Sequence, residues 1–107
     1  MPEGARAVEA AKHRLRVAVI SPVEVGFEGE GDSVVVPAHD GLVGILPGHA
    51  PMMTLLGTGD VTVRDGTTVH RIAVSGGFLQ VVDNEVSVLA EKVGEPSSAG
   101  DGTEDAG

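Results

Sequence analysis

Cysteine, tryptophan and tyrosine are absent from this 107-residue sequence, and phenylalanine occurs only twice. Without cysteine there is neither a disulfide framework nor a thiolate metal site, so zinc ribbons and knuckles are excluded and a reducing compartment is permitted. Two phenylalanines leave almost nothing on which nucleic-acid bases could stack. Basic residues are scarce as well: seven Lys and Arg stand against 16 Asp and Glu, for a formal net charge of −9. Phosphate neutralisation needs clustered Lys and Arg, so an acidic body argues against nucleic-acid binding. No apolar run approaches the ~20 residues that cross a bilayer, which implies no direct membrane insertion. The N-terminus lacks the apolar stretch of a secretory signal, which points to a cytosolic protein.

What is present suffices for one small core. The hydrophobic fraction is 41%, ordinary for a globular protein, and a chain of this length has room for one domain. Charge divides the chain into three parts. Residues 1–13 form an N-terminal extension in a locally basic region that includes Arg6 and Lys12 and continues to Arg14 and Arg16. Residues 14–93 form the body, rich in β-branched side chains. Residues 94–107 form an acidic tail with Glu95, Asp101, Glu104, Asp105 and no base, too poor in apolar side chains to offset ordering entropy, so disorder is expected there.

Within the body the apolar residues alternate. Leu15, Val17 and Val19 alternate with Arg16 and Ala18, the period of a half-buried strand. Further short runs at 32–37, 42–46 and 52–56 are separated by Pro and Gly. Val61–Arg64 and Thr67–Val74 flank Asp65-Gly66, a strong hairpin signal. Phe78–Val82 and Glu85–Glu91 flank Asp83-Asn84, where both residue types tolerate a positive φ. Short strands recurring at this interval indicate an all-β sandwich or flattened barrel.

Candidate chemistry is thin. His39, His49 and His70 have none of the spacings that converge ligands on a metal. Ser75 could be drawn into a triad with His49, but Ala73 stands where a nucleophile elbow requires Gly. Gly29-Glu30-Gly31 and Gly57-Thr58-Gly59 precede strands rather than helices and no P-loop lysine follows, so they read as turns. No catalytic, cofactor-binding or metal-binding residue is assigned, and a binding or structural module is the favoured class.

Several strings together are more specific. Val19-Ile20-Ser21-Pro22, Phe27-Glu28-Gly29, the run from Asp40 to Pro51 with its Leu46-Pro47-Gly48-His49-Ala50-Pro51 core, and Val74-Ser75-Gly76-Gly77-Phe78-Leu79-Gln80-Val81 resemble the epsilon subunit of F-type ATP synthases. The resemblance runs from about Leu15 to Glu91. It implies a flattened β-sandwich of about ten short strands and a non-catalytic role without cofactor. The subunit would be a central-stalk rotor element joining the gamma subunit to the c-ring, turning with the ring as protons or sodium ions pass. It would be peripheral on the cytoplasmic face of a bacterial inner membrane.

Carried over by position, the resemblance places Ser21 near the gamma and ring contact, the turn Asp40, Gly41, Leu42 and Val43 against the c-ring, and His49 near gamma. Leu42 stands where many family members have an acid, so an apolar ring contact, or a shifted role for Asp40, is expected. Only 16 residues follow Glu91, too few and too polar for the helical hairpin that many members carry, which implies a short form. Two other classes compete: a free-standing β-sandwich that binds a ligand or protein, and a small hydrolase, disfavoured because no nucleophile and base pair.

Overall fold

The computed structural model describes residues 14–95 and 97–100. The extension at 1–13 and residues 101–107 of the tail lie outside the described residues. Among the described residues nine strands form in chain order: β1 (Leu15–Ile20), β2 (Val25–Gly31), β3 (Ser33–Ala38), β4 (Gly41–Ile45), β5 (Met52–Leu55), β6 (Thr58–Asp65), β7 (Thr68–Val82), β8 (Glu85–Val93) and β9 (Ser97–Gly100).

The 15-residue β7 organises the rest. Its first half pairs with β6 and β9, and its second half pairs with β5 and β8. β3 and β4 extend the sheet beyond β6, while β1 and β2 extend it beyond β8. The result is two layers, β4-β3-β6-β7-β9 and β5-β7-β8-β1-β2, with β7 belonging to both. Burial requires this folding over. Leu15, Val17 and Val19 on β1, Val34 and Val36 on β3, and Leu79 and Val81 on β7 are fully buried in one cluster. No helix occurs among the described residues to cover either sheet face, so the two inner faces cover each other. The core is built from branched aliphatic side chains. Neither phenylalanine enters its fully buried part.

β7 can serve both layers because it bends at Gly76 and Gly77, with φ of +73° and +104°. L side chains avoid that region. A Cβ on Gly77 would also fall on the carbonyl oxygen of Leu89. The alternation predicts two strands, at 67–74 and 78–82; the glycine pair joins them into one. Turn chemistry is as expected at the other end, where Asp83 and Asn84 both take positive φ, 51° and 63°, in a two-residue hairpin loop.

Three readings are corrected. Of Gly57-Thr58-Gly59, read as a turn, Thr58 and Gly59 instead open β6, paired with Ser75 and Val74. Gly29-Glu30-Gly31 is not a turn but the end of β2. Its glycines answer to space rather than to a turn: a Cβ on Gly31 would lie 2.7 Å from a Val63 methyl where the chain passes from one layer to the other. The tail expected to be disordered from residue 94 instead begins with β9, pairing Ser97–Gly100 with Arg71–Thr68.

Arg14 fastens one end of the sandwich. Its guanidinium lies 3.1 Å from Asp65 and 3.2 Å from Asp32, with Glu30 at 3.6 Å. The hydrogen bond to Asp65 foremost, with the three carboxylate charges, holds Arg14 above the usual arginine range against the opposing effect of desolvation. Asp32 also accepts a 2.7 Å bond from the Gly66 backbone N–H. The β2–β3 corner and the β6–β7 hairpin are therefore tied to the start of β1.

Candidate docking surface

The outer face of the β5-β7-β8-β1-β2 layer carries an apolar row. Leu55 pairs with Phe78, Phe78 with Leu89, Leu89 with Ile20, and Ile20 with Val25. Residues in register share a face, so these five side chains form a ladder across all five strands, roughly 19 Å long at the usual strand spacing. A bulge between Val19 and Ile20 completes it by pairing Ile20 with Val25 and passing over Gly26. Leu55 and Val25 are 59% and 58% exposed, and Phe78 and Leu89 keep more than a third of their surface in water. Met53 lies one row away in register with Gln80 and is also exposed.

A shallow groove of about 440 Å³ runs beside the ladder between Ile20, Pro22, Phe78 and Leu89, with Ser21 and Glu91 as the polar side chains of its wall. Covering one Leu or Phe gains about 1.5–3 kcal/mol relative to full exposure. A contiguous ladder of this kind is the form of surface that marks a partner site rather than scattered surface hydrophobes.

Each residue named from the sequence has a definite place. Ser21 is nearly buried at 8% exposure. Its hydroxyl accepts from the backbone N–H groups of Val23 and Glu24 at 3.3 and 3.2 Å, and it lies 3.3 Å from the Glu24 carbonyl oxygen. The hydroxyl is thus committed to a turn whose tip, Val23, is 89% exposed. Asp40 and Gly41 lie in and beside the turn between β3 and β4, and Leu42 next to it is 74% exposed. Val43 packs partly against the core. The His39 N–H donates to the Leu55 carbonyl at 3.0 Å, so this turn shares the bend end of the sandwich with Ser21, on the opposite flank.

His49 is not brought to Ser21. The Gly48 N–H donates to Asn84 Oδ1 at 2.7 Å, which anchors the 46–51 loop at the far end of β7. That end, Val82, is four residues from Phe78, roughly 13 Å. His49 Nδ1 lies 2.7 Å from the Ala50 carbonyl. A carbonyl only accepts, so the hydrogen is on Nδ1.

No catalytic arrangement assembles from these groups. Ser75 Oγ lies 3.1 Å from Thr58 Oγ1, with His49 beyond the other end of the layer. Among the described residues, no group of three or more His, Asp or Glu side chains is placed to hold a metal ion. No helix there is long and apolar enough to cross a membrane. The ladder is what sequence reasoning missed. Phe78 and Leu89 each look like core residues in an apolar run, Ile20 falls on the outer parity of β1 only as a single apolar residue, and only the registers reveal a shared outer row.

A β-sandwich with a closed aliphatic core and an apolar ladder on one outer face has the form of a binding module rather than of an enzyme site. Residues 14–96 match the family described as ATP synthase, Delta/Epsilon chain, beta-sandwich domain. The ATP synthase epsilon chain of Leptospira borgpetersenii serovar Hardjo-bovis (strain JB197) is 48% identical over 79 residues, covering 74% of this chain and 62% of that protein. That of Synechococcus sp. (strain RCC307) is 42% identical over 84 residues, covering 78% and 62%. The chain belongs to the ATP synthase delta/epsilon family, and these curated relatives are epsilon chains, of which it spans less than two thirds.

Solved structures agree on the fold. A chain of the Euglena gracilis mitochondrial ATP synthase, in its OSCP/F1/c-ring structure, superposes with a TM-score of 0.70 at 20% identity, covering 77% of this chain and 53% of that one. A chain of the Tetrahymena thermophila mitochondrial ATP synthase central stalk/c-ring gives 0.59 at 14% identity, covering 76% and 66%.

Proposed function

We propose that this chain is a non-catalytic rotor subunit of an F-type ATP synthase, joining the gamma subunit to the c-ring in the central stalk. The observation that carries the reading is the ladder from Leu55 to Val25, a row of five apolar side chains of which four are exposed to water and Ile20 is half-buried, on a module of the delta/epsilon family. A burial-driven, interlocking contact suits a part that transmits torque, because exposed ion pairs are individually weak and screened by salt. The ladder meets gamma, flanked by the His49 loop, which β5 connects directly to it. The bend end meets the c-ring. There Leu42 supplies an apolar contact beside Asp40, Gly41 and Val43, and Ser21 acts by holding the turn that presents Val23.

On this reading the protein sits peripherally on the cytoplasmic face of a bacterial inner membrane through its partners, and chemistry occurs in other subunits. The test is co-expression with the cognate gamma subunit followed by size-exclusion chromatography. A single co-eluting complex at micromolar concentration is expected, which Phe78→Asp disrupts. Reproducible separate elution of the unmodified proteins rejects the assignment in favour of a free-standing module.

A further inference from the structure

The ladder has an acidic border. At the bend end stand Glu91 on β8 and Glu24 in the turn after β1. On the other side Glu28 lies in register with Ala18, while Glu30 and Glu85 flank Arg16 and Glu30 is also 3.6 Å from Arg14, so the acid left without a basic neighbour on that face is at the bend end. Glu91 is the acid in the groove wall itself, beside Leu89 and Phe78. Its carboxylate lies over the bend of β7, where a Cβ on Gly76 would come within 2.6 Å of Glu91 Oε1. The missing side chain of Gly76 makes the space in which that carboxylate rests.

Glu91 forms no ion pair among the described residues. Lys92 is its neighbour in sequence, but successive strand residues point to opposite faces. A carboxylate exposed at the edge of an apolar groove attracts a cation from a partner and repels an anion. A second copy of this chain is a poor occupant, since each copy carries a net charge of −9 and would set one acidic border against another.

We infer that the ladder docks against a protein surface whose apolar stripe is flanked by an arginine or lysine, and that Glu91 is the residue that recognises this cation. The inference rests on the docking function proposed above and adds the chemistry of the partner. Apolar contacts hold the complex, while the Glu91 pair sets orientation and speeds association, as charges at the edge of an interface do.

The experiment measures binding kinetics of the full chain to the cognate gamma subunit at about 50 and about 300 mM salt, across which screening becomes much stronger. Glu91→Gln is expected to weaken binding about tenfold at the lower salt, Glu91→Lys by more, and Glu91→Asp by less, mainly through the association rate. Asp60→Asn removes one exposed charge from the other layer and is expected to stay within about twofold, which separates a local pair from net charge. Thermal unfolding of each variant confirms the fold.

Failure of the unmodified chain to bind gamma overturns the docking function and this inference with it. Gamma binding that Glu91→Lys leaves within about twofold overturns this inference alone. So does dimerisation of the isolated chain that Phe78→Asp abolishes, which assigns the ladder to a second copy.

Discussion

Phe78 and Leu89 stand directly opposite one another across β7 and β8, 39% and 38% exposed, while their neighbours Leu79 and Val88, also paired, are fully buried. One step along each strand separates a core pair from a surface pair. The two pairs respond to different demands, one on folding and one on docking.

Truncation separates them. Leu79→Ala opens a cavity between the layers and is expected to cost about 2–5 kcal/mol in urea unfolding. Leu89→Ala is expected to cost less than about 1 kcal/mol, since most surface substitutions fall within about 0.5 kcal/mol. Binding to gamma reverses the order of sensitivity at temperatures where both variants are folded, with Leu89→Ala the weaker binder.

Gly77→Ala meets two obstacles together, the φ of +104° and the carbonyl of Leu89. A loss of about 3 kcal/mol or more in denaturant unfolding is expected, at the level of strong backbone and overpacking effects. Gly76→Ala is expected to cost less, because its neighbour is the far end of the flexible Glu91 side chain.

The inner faces of the sandwich were legible in the sequence because a half-buried strand imposes a period of two, and Leu15, Val17 and Val19 display it. The hairpin at Asp83-Asn84 was legible because few residue types accept its φ values. β2 was not, since Gly26, Gly29 and Gly31 break the apolar pattern for reasons that lie in Val93, Phe27 and Val63. Nor was the ladder, whose members sit on five strands with registers fixed by the bulge after Val19 and the bend at Gly76 and Gly77. Resemblance marked Ser21, but its geometry identifies the hydroxyl as the lock of a turn and Val23 as the exposed tip.

Asn84 carries two duties that substitution can divide. Asn84→Gly keeps the positive φ and removes the acceptor of the Gly48 N–H, so amide exchange at Gly48 is expected to accelerate with a stability cost of about 1 kcal/mol. Asn84→Ala adds strain at φ 63° and is expected to cost roughly 1 kcal/mol more. Unchanged exchange at Gly48 in both variants rejects this account of the loop anchor.

Leu42→Asp tests the apolar ring contact. The side chain is largely in water, so the melting temperature is expected to hold, while cross-linking of position 42 to the c subunit and ion pumping by the assembled enzyme fall. Retention of both signals removes Leu42 from the contact.

The last prediction concerns β9, which covers the edge of β7 at Thr68–Arg71. Its segment, Ser97-Ser98-Ala99-Gly100, has little β-propensity, so its removal is expected to cost no more than about 1 kcal/mol in global stability. Deleting residues 95–107 is expected to speed amide exchange in β7 near Thr68–Arg71 and leave exchange near Leu79 and Val81 unchanged, because those residues pair with β5 and β8. ATP hydrolysis by an assembled enzyme is expected to be unaffected, since the ladder and the Leu42 turn lie away from that edge. Unchanged exchange near Thr68–Arg71 shows that β9 does not secure the edge, and marked activation of hydrolysis assigns the segment a regulatory task.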